Sequence, residues 1–464
     1  MRSNSKNFYK FITIALTLSG TISGCASVAQ APTVSSSAAN KSTLALIGSY
    51  RVERFELKNG LKLRVIEDHS SPTFAYQTWF KVGSRDEEPG RTGLAHLFEH
   101  MMFKETKNLK DGEFDKLLET AGAEGENAFT TQDNTTYVQE LPKERLDLIT
   151  RLEAERMVNL VVNEQAFSTE REVVHNERRM RNENSPDGLM YQELMATAFV
   201  KHPYHWPVIG YEEDLNRLTA EDALKFYRAH YSPNHATIVV AGDVNAQEVL
   251  ALVEKYYGAI TAQPSQRKTF EPDAPPSSPR RKTLRLNIQV EKLLMGYPIP
   301  EVIHPDMAAL DLIQSVLSGG KSSRLNRVLV ETGIASAAYA YSRDAKDPSL
   351  YIFGAQMQKN KKASMAESLI VKELERLTRE LVPEAELTRA KNILNFEFYT
   401  SFESNSERAQ FVGRSEVLAD SVEHGLDRQK KIQMVTPEEV LKVAQKYFSP
   451  KNRTVISGLK KEAL

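Results

Sequence analysis

Residues 96–100 read His-Leu-Phe-Glu-His. In a helix, His96 and His100 share one face and sit about 6 Å apart along the axis. Two neutral imidazoles so placed can grip one zinc ion. Glu99, three residues on from His96, is close enough to act as a base on water beside that ion. A catalytic zinc site needs a third protein ligand and one open position. Segment 168–183 offers the candidates. Thr169-x-x-Glu172 reads as a capping box opening a helix there, with Glu170, Glu172 and Glu177 along it. Glu170 and Glu177 lie two turns apart on one face, so both can look into the same site and spacing does not choose between them. His175 points well away from Glu177 on such a helix and reads as a surface or packing histidine.

These residues need a scaffold. Thr92 is placed as N-cap of the first helix, with Leu94, Leu97, Phe98 and Met101 as its packing face. Phe55, Leu57, Leu61, Leu63 and Val65 alternate around Asn59-Gly60, a hairpin signal, and Phe74 to Val82 continues the alternation as a further strand. Residues 143–160 carry helical spacing. Asn127-Ala128-Phe129-Thr130 precedes a polar turn and a second strand through Tyr137 and Leu141. At a sheet edge, 127–130 can pair with an extended peptide through main-chain hydrogen bonds, reading little side-chain identity.

The chain also repeats itself. Residues 219–233 (TAEDALKFYRAHYSP) and 436–450 (TPEEVLKVAQKYFSP) match at a constant offset of 217. Each reads as a capped helix, a Ser-Pro break and a strand, the mark of a duplicated domain. Between the copies, Pro264, Pro272, Pro275, Pro276 and Pro279 define a semi-rigid linker over 263–281. The expectation is an α+β fold: two homologous domains at 50–262 and 282–464, each a mixed or antiparallel sheet packed with helices, the second without zinc ligands.

Composition narrows the class. With 464 residues, 41% hydrophobic and 26% charged, the chain is globular, and its net charge of −1 gives no electrostatic case for nucleic acid. One cysteine excludes internal disulfides and a cysteine zinc site. Arg2, Lys6 and Lys10 precede a short apolar stretch and small residues up to Cys25, which reads as a secretory signal. Ile22-Ser23-Gly24-Cys25 resembles a lipoprotein signal, so 1–24 is expected to be removed, Cys25 lipidated and 26–49 left as a flexible tether. Ala26 after the cysteine favours the outer membrane, by resemblance to sorted lipoproteins.

Taken together, the inverted zinc motif followed 77 residues later by Glu177 resembles the insulinase/pitrilysin metallopeptidases. Gly93-Leu94-Ala95-His96, Gly125-Glu126-Asn127-Ala128-Phe129-Thr130, Tyr137, His202-Pro203-Tyr204, Pro207-Val208-Ile209-Gly210 and Gly319-Gly320-Lys321-Ser322-Ser323-Arg324-Leu325 extend the match. The resemblance implies one zinc held by His96, His100 and Glu177, Glu99 as catalytic base, Glu170 beside the ligands, and Asn127 and Ala128 as substrate contacts. It also implies a half-chamber that needs a second half. Relatives present an Arg and a Tyr to the substrate carbonyl from a stretch where this chain has Leu329 and Ser336. The implied partner is a related zinc-free subunit supplying both, as in the mitochondrial processing peptidase, or a second copy. A non-cleaving peptide-binding or assembly factor is the competing expectation.

Overall fold

A computed structural model of the chain describes residues 40–263, 267–274 and 276–461. The expected signal segment and lipidated Cys25 lie outside the described residues. Strands β1 (Asn40–Ala45), β2 (Arg51–Glu56), β3 (Lys62–Glu67), β4 (Thr73–Phe80), β5 (Glu124–Thr130), β6 (Thr135–Pro142) and β7 (Ala236–Gly242) build one sheet. Its order is β1-β2-β3-β7-β4-β6-β5. Strands β8 (Arg280–Leu286), β9 (Lys292–Ile299), β10 (Ala335–Ser342), β11 (Ser349–Met357) and β12 (Thr454–Lys460) build another, ordered β10-β11-β9-β12-β8. Each sheet has one parallel pair, β3 with β7 and β8 with β12. Without β1 and β2, the two orders correspond strand for strand.

The sequence repeat explains that correspondence. Thr219 and Thr436 each cap a helix, Ala220–His230 and Pro437–Tyr447, in reciprocal capping boxes with Asp222 and Glu439. A short turn begun by Pro233 or Pro450 follows each helix and leads into β7 or β12. The same local chemistry thus inserts the same strand at the same place in both sheets.

β4 is buried along almost its whole length, so its sheet must be covered on both faces. One face carries helices of its own half. The other is covered by Asn405–Ala419, a helix from beyond the linker, whose Ala409, Val412 and Val417 pack with Val52, Ile66, Ala75, Trp79 and Val239. Reciprocally, Pro186–Ala198 lies against β8, β9 and β12. There Met190, Leu194 and Met195 meet Leu286, Leu350, Ile352 and Ile456. The linker therefore divides the strands but not the helices. Gly413 lets the crossing helix approach Trp79, since a Cβ there would lie 2.2 Å from the indole.

One expectation needs correction. Part of the tether expected at 26–49 is β1, paired antiparallel along β2 from Asn40 opposite Glu56 to Ala45 opposite Arg51. Its Ser- and Thr-rich composition hides an edge strand held by main-chain pairing, with Leu44 packed on the cluster around Trp79. No helix among the described residues is long and apolar enough to cross a membrane.

Asp420, at the left-handed end of the crossing helix (φ 56°), pairs with Lys81 and with Lys346. Burial raises its pKa, but hydrogen bonds from Lys346 and Lys81 outweigh that and hold it below the usual 3.8. A carboxylate depressed in the folded state adds stability above its unfolded pKa and loses it as pH falls through the folded value. Asp420→Asn keeps the backbone tolerance and removes the charge. It is expected to lower the urea midpoint at neutral pH, with the deficit shrinking below pH 3.8. A deficit constant down to the acid limit would assign the effect to something other than this charge.

Candidate metal centre

The His-x-x-Glu-His segment lies on helix Leu94–Met101. Leu94, Ala95, Leu97, Phe98 and Met101 enter the core, which turns His96 and His100 toward the opposite side. Phe98 stacks on Tyr227 and its carbonyl accepts the Tyr137 hydroxyl at 2.8 Å. The cap differs from expectation. Gly93 is the N-cap, at φ 99° with Leu215 and the Ile209 carbonyl too close to admit a side chain. Glu87 accepts the amides of Gly93 and Ala95 at 2.9 and 2.8 Å, and Thr92 instead donates to Asp214. Burial lifts the Glu87 pKa well above the usual carboxylate range despite these bonds.

The second helix, Glu164–Arg178, also begins earlier than Thr169. Asn163 is its cap, accepting the Ala166 amide at 2.8 Å, and the Thr169 hydroxyl bonds back to Gln165 O inside the helix. Phe167 and Val174 anchor it in the core, leaving Glu170 and Glu177 toward the histidines.

The helices meet at the rings. Glu177 Oε2 lies 3.2 Å from His100 Nε2 and 3.6 Å from His96 Nε2, and one ligand atom from each residue falls within 4.8 Å of the others. His96, His100 and Glu177 form the one such group among the described residues. Glu170 Oε2 faces His100 Nδ1 at 3.8 Å, while its Oε1 meets Lys104 at 3.0 Å. His175 is buried and outside this group. Burial pushes the His96 pKa down to about 4, overcoming the attraction of Glu177, so the ring is neutral at pH 7. Glu177 is held below the usual range, first by its hydrogen bond with His100. Two imidazole nitrogens and one ionised carboxylate, with no fourth protein ligand grouped with them among the described residues, fit a catalytic zinc ion.

Glu99 stands beside the cluster. Its Oε2 accepts the Thr130 hydroxyl at 2.6 Å, and burial raises its pKa against that bond. A cavity of about 470 Å³ opens there, lined by His96, Glu99, Asn127, Ala128, Glu177 and Arg181 among others. Asn127 and Ala128 lie on β5, which among the described residues pairs only with β6 and so forms an edge of its sheet. The Ala128 amide donates to Asn127 Oδ1 at 2.9 Å. Tyr191, Trp206 and Arg181 also line this cavity and were not singled out from the sequence, while Thr130 was named only as part of the 127–130 segment. Arg181 alone had a local signal, four residues beyond Glu177.

Leu329 is fully buried among the apolar residues of the second half, and the Ser336 hydroxyl donates to Gln356 O at 3.2 Å. Neither position offers an arginine- or tyrosine-like donor.

The chain thus combines a two-domain α+β scaffold with a His-His-Glu cluster beside a sheet edge. Residues 63–211 match the model for Insulinase (Peptidase family M16), and residues 217–394 match that for the Peptidase M16 inactive domain. The chain is 34% identical to zinc protease PqqE of Helicobacter pylori, over 87% of this chain and 92% of that one. A crystal structure of a protease from Helicobacter pylori superposes with a TM-score of 0.84 at 33% identity, over 88% of this chain and 99% of that one. The periplasmic protease PqqL of Escherichia coli shares the fold, with a TM-score of 0.74 at 19% identity. It covers 91% of this chain, which spans 48% of that longer protein. The chain belongs to the insulinase family of zinc proteases, peptidase family M16.

Proposed function

We propose that this chain is a zinc endopeptidase for extended or unfolded polypeptides, working in the bacterial cell envelope. The observation that carries the reading is the convergence of His96, His100 and Glu177 beside Glu99, in a cavity bordered by the free edge of β5. A zinc ion held there would polarise the scissile carbonyl and activate water at neutral pH. Glu99 takes a proton from the attacking water and delivers it to the leaving amine, and the Thr130 hydroxyl fixes its orientation. A peptide laid along β5 would offer a carbonyl to the Ala128 amide in place of the Asn127 side-chain Oδ1 that accepts it now. Glu170, clamped by Lys104, steadies the His100 ring.

Cys25 would carry the lipid that holds the enzyme at the outer membrane facing the periplasm. A related zinc-free subunit, or a second copy, would close the chamber and bring the arginine and tyrosine missing at Leu329 and Ser336. Support for pairing comes from the span of this chain, about half of the longer periplasmic relative. The same burial of Leu329 favours a second reading, a chamber that binds peptides without cleaving them.

Metal analysis and a peptide assay separate the two. The purified chain is expected to hold about one zinc, lost together with hydrolysis in His96→Ala. Addition of the partner should raise the rate on unfolded peptides. Zinc-loaded protein that cleaves nothing, alone or with its partner, would leave the binding reading standing.

A further inference from the structure

The two acids beside the imidazoles share a pattern. Each turns one oxygen toward a ring and the other toward a cation. Glu170 gives Oε2 to His100 Nδ1 and Oε1 to Lys104. Glu177 gives Oε2 to the two Nε2 atoms and Oε1 to Arg181, whose Nη1 lies 2.7 Å away.

Arg181 sits where the helix changes pitch. Beyond Arg178 the backbone widens over Arg179–Glu183, closed by the Asn184 amide bonding back to Arg179 O at 2.8 Å. Wide turns of this kind concentrate at functional sites. Its packing fixes the turn: a Cβ at Gly188 would lie 2.1 Å from the Arg181 carbonyl, so only glycine lets the next helix approach. Arg178 is anchored separately, donating to Gly210 O at 2.8 Å. The Arg181 side chain is 73% exposed and borders the cavity, so it contributes little to the core.

We propose that Arg181 is a positioning residue for Glu177. Its guanidinium holds Oε1, so a single oxygen faces the imidazoles, and tight zinc binding depends on that hold. This rests on the zinc reading above. Two effects oppose each other. The arginine's charge repels a cation, but so exposed a group is screened by water and salt. The ion-pair contact at Oε1, 2.7 Å long, is too short for salt to intervene and disfavours turning the carboxylate away from the rings. Orientation therefore wins, and loss of Arg181 weakens zinc binding rather than strengthening it.

The test is the zinc dissociation constant of the full chain, measured by competition with a chromophoric chelator in wild type, Arg181→Met, Arg181→Lys and Arg179→Met. Partners that orient metal ligands typically change affinity 10–100-fold. Arg181→Met should weaken binding by about that factor, Arg181→Lys should recover part of it, and Arg179→Met, on the same turn, should match wild type. Unfolding midpoints of the metal-free proteins should coincide. Unchanged or tighter binding in Arg181→Met overturns the proposal, as does an equal loss in Arg179→Met or a loss that tracks a lowered midpoint. A wild-type chain that takes up no zinc overturns the metal reading itself, and this inference with it.

Discussion

Glu99→Gln is expected to lower kcat/KM for peptide hydrolysis by about 10²–10⁴, the usual worth of a positioned general base, while zinc content stays at the wild-type level. Glutamine matches glutamate in shape, and its amide oxygen can still accept the Thr130 hydroxyl now 2.6 Å from Glu99. His96, His100 and Glu177 are untouched, so the metal should remain. What disappears is the capacity to take up a proton and return it. Parallel metal analysis and peptide kinetics give the result. Full activity with full zinc would remove Glu99 from the chemistry, and joint loss of both would make it a structural residue.

The second large effect concerns folding. Arg64 on β3 is 6% exposed and bonds Glu416 of the crossing helix at 2.7 Å, with Lys62 adding a contact at 3.0 Å. Burial raises the Glu416 pKa, but Arg64 and Lys62 outweigh it and keep the carboxylate below its usual range. Removing one partner of a buried pair leaves the other charge uncompensated, at a cost of about 3–5 kcal/mol. Glu416→Ala should therefore lower the urea midpoint strongly. Replacing both partners, Arg64→Met with Glu416→Leu, should recover most of the loss. A single variant as stable as wild type would show that the guanidinium finds water or another acceptor instead.

Local periodicity made the first half of the site legible. A four-residue spacing of histidines places both rings on one face whatever the tertiary structure. The second half was not settled by spacing. Glu170 and Glu177 occupy one face of one helix, and only the angle at which that helix crosses Leu94–Met101 puts Glu177 at both Nε2 atoms and Glu170 at Nδ1 of His100 alone. The family resemblance, not the periodicity, singled out Glu177. The caps failed for a related reason. Reading from Thr92 looked for a side chain next to the helix, whereas the acceptor is Glu87, brought back by the loop between.

The duplication was visible because its cause is local: a threonine cap, an amphipathic helix and a Ser-Pro break recur in register. The exchange of Pro186–Ala198 and Asn405–Ala419 was not, because an apolar helix face says that it will be covered and not by which sheet. β1 escaped notice because its side chains contribute little; backbone pairing makes that strand, and composition does not register it.

That exchange constrains how the protein can evolve and be divided. Each sheet borrows its roof from the opposite side of the proline-rich linker, so neither portion can be detached as a free-standing module without baring a wall of valine, alanine and leucine. Inheritance must act on the clasped pair as one unit. Any rearrangement that shortens, fuses or separates such chains is constrained to keep both borrowed helices with it.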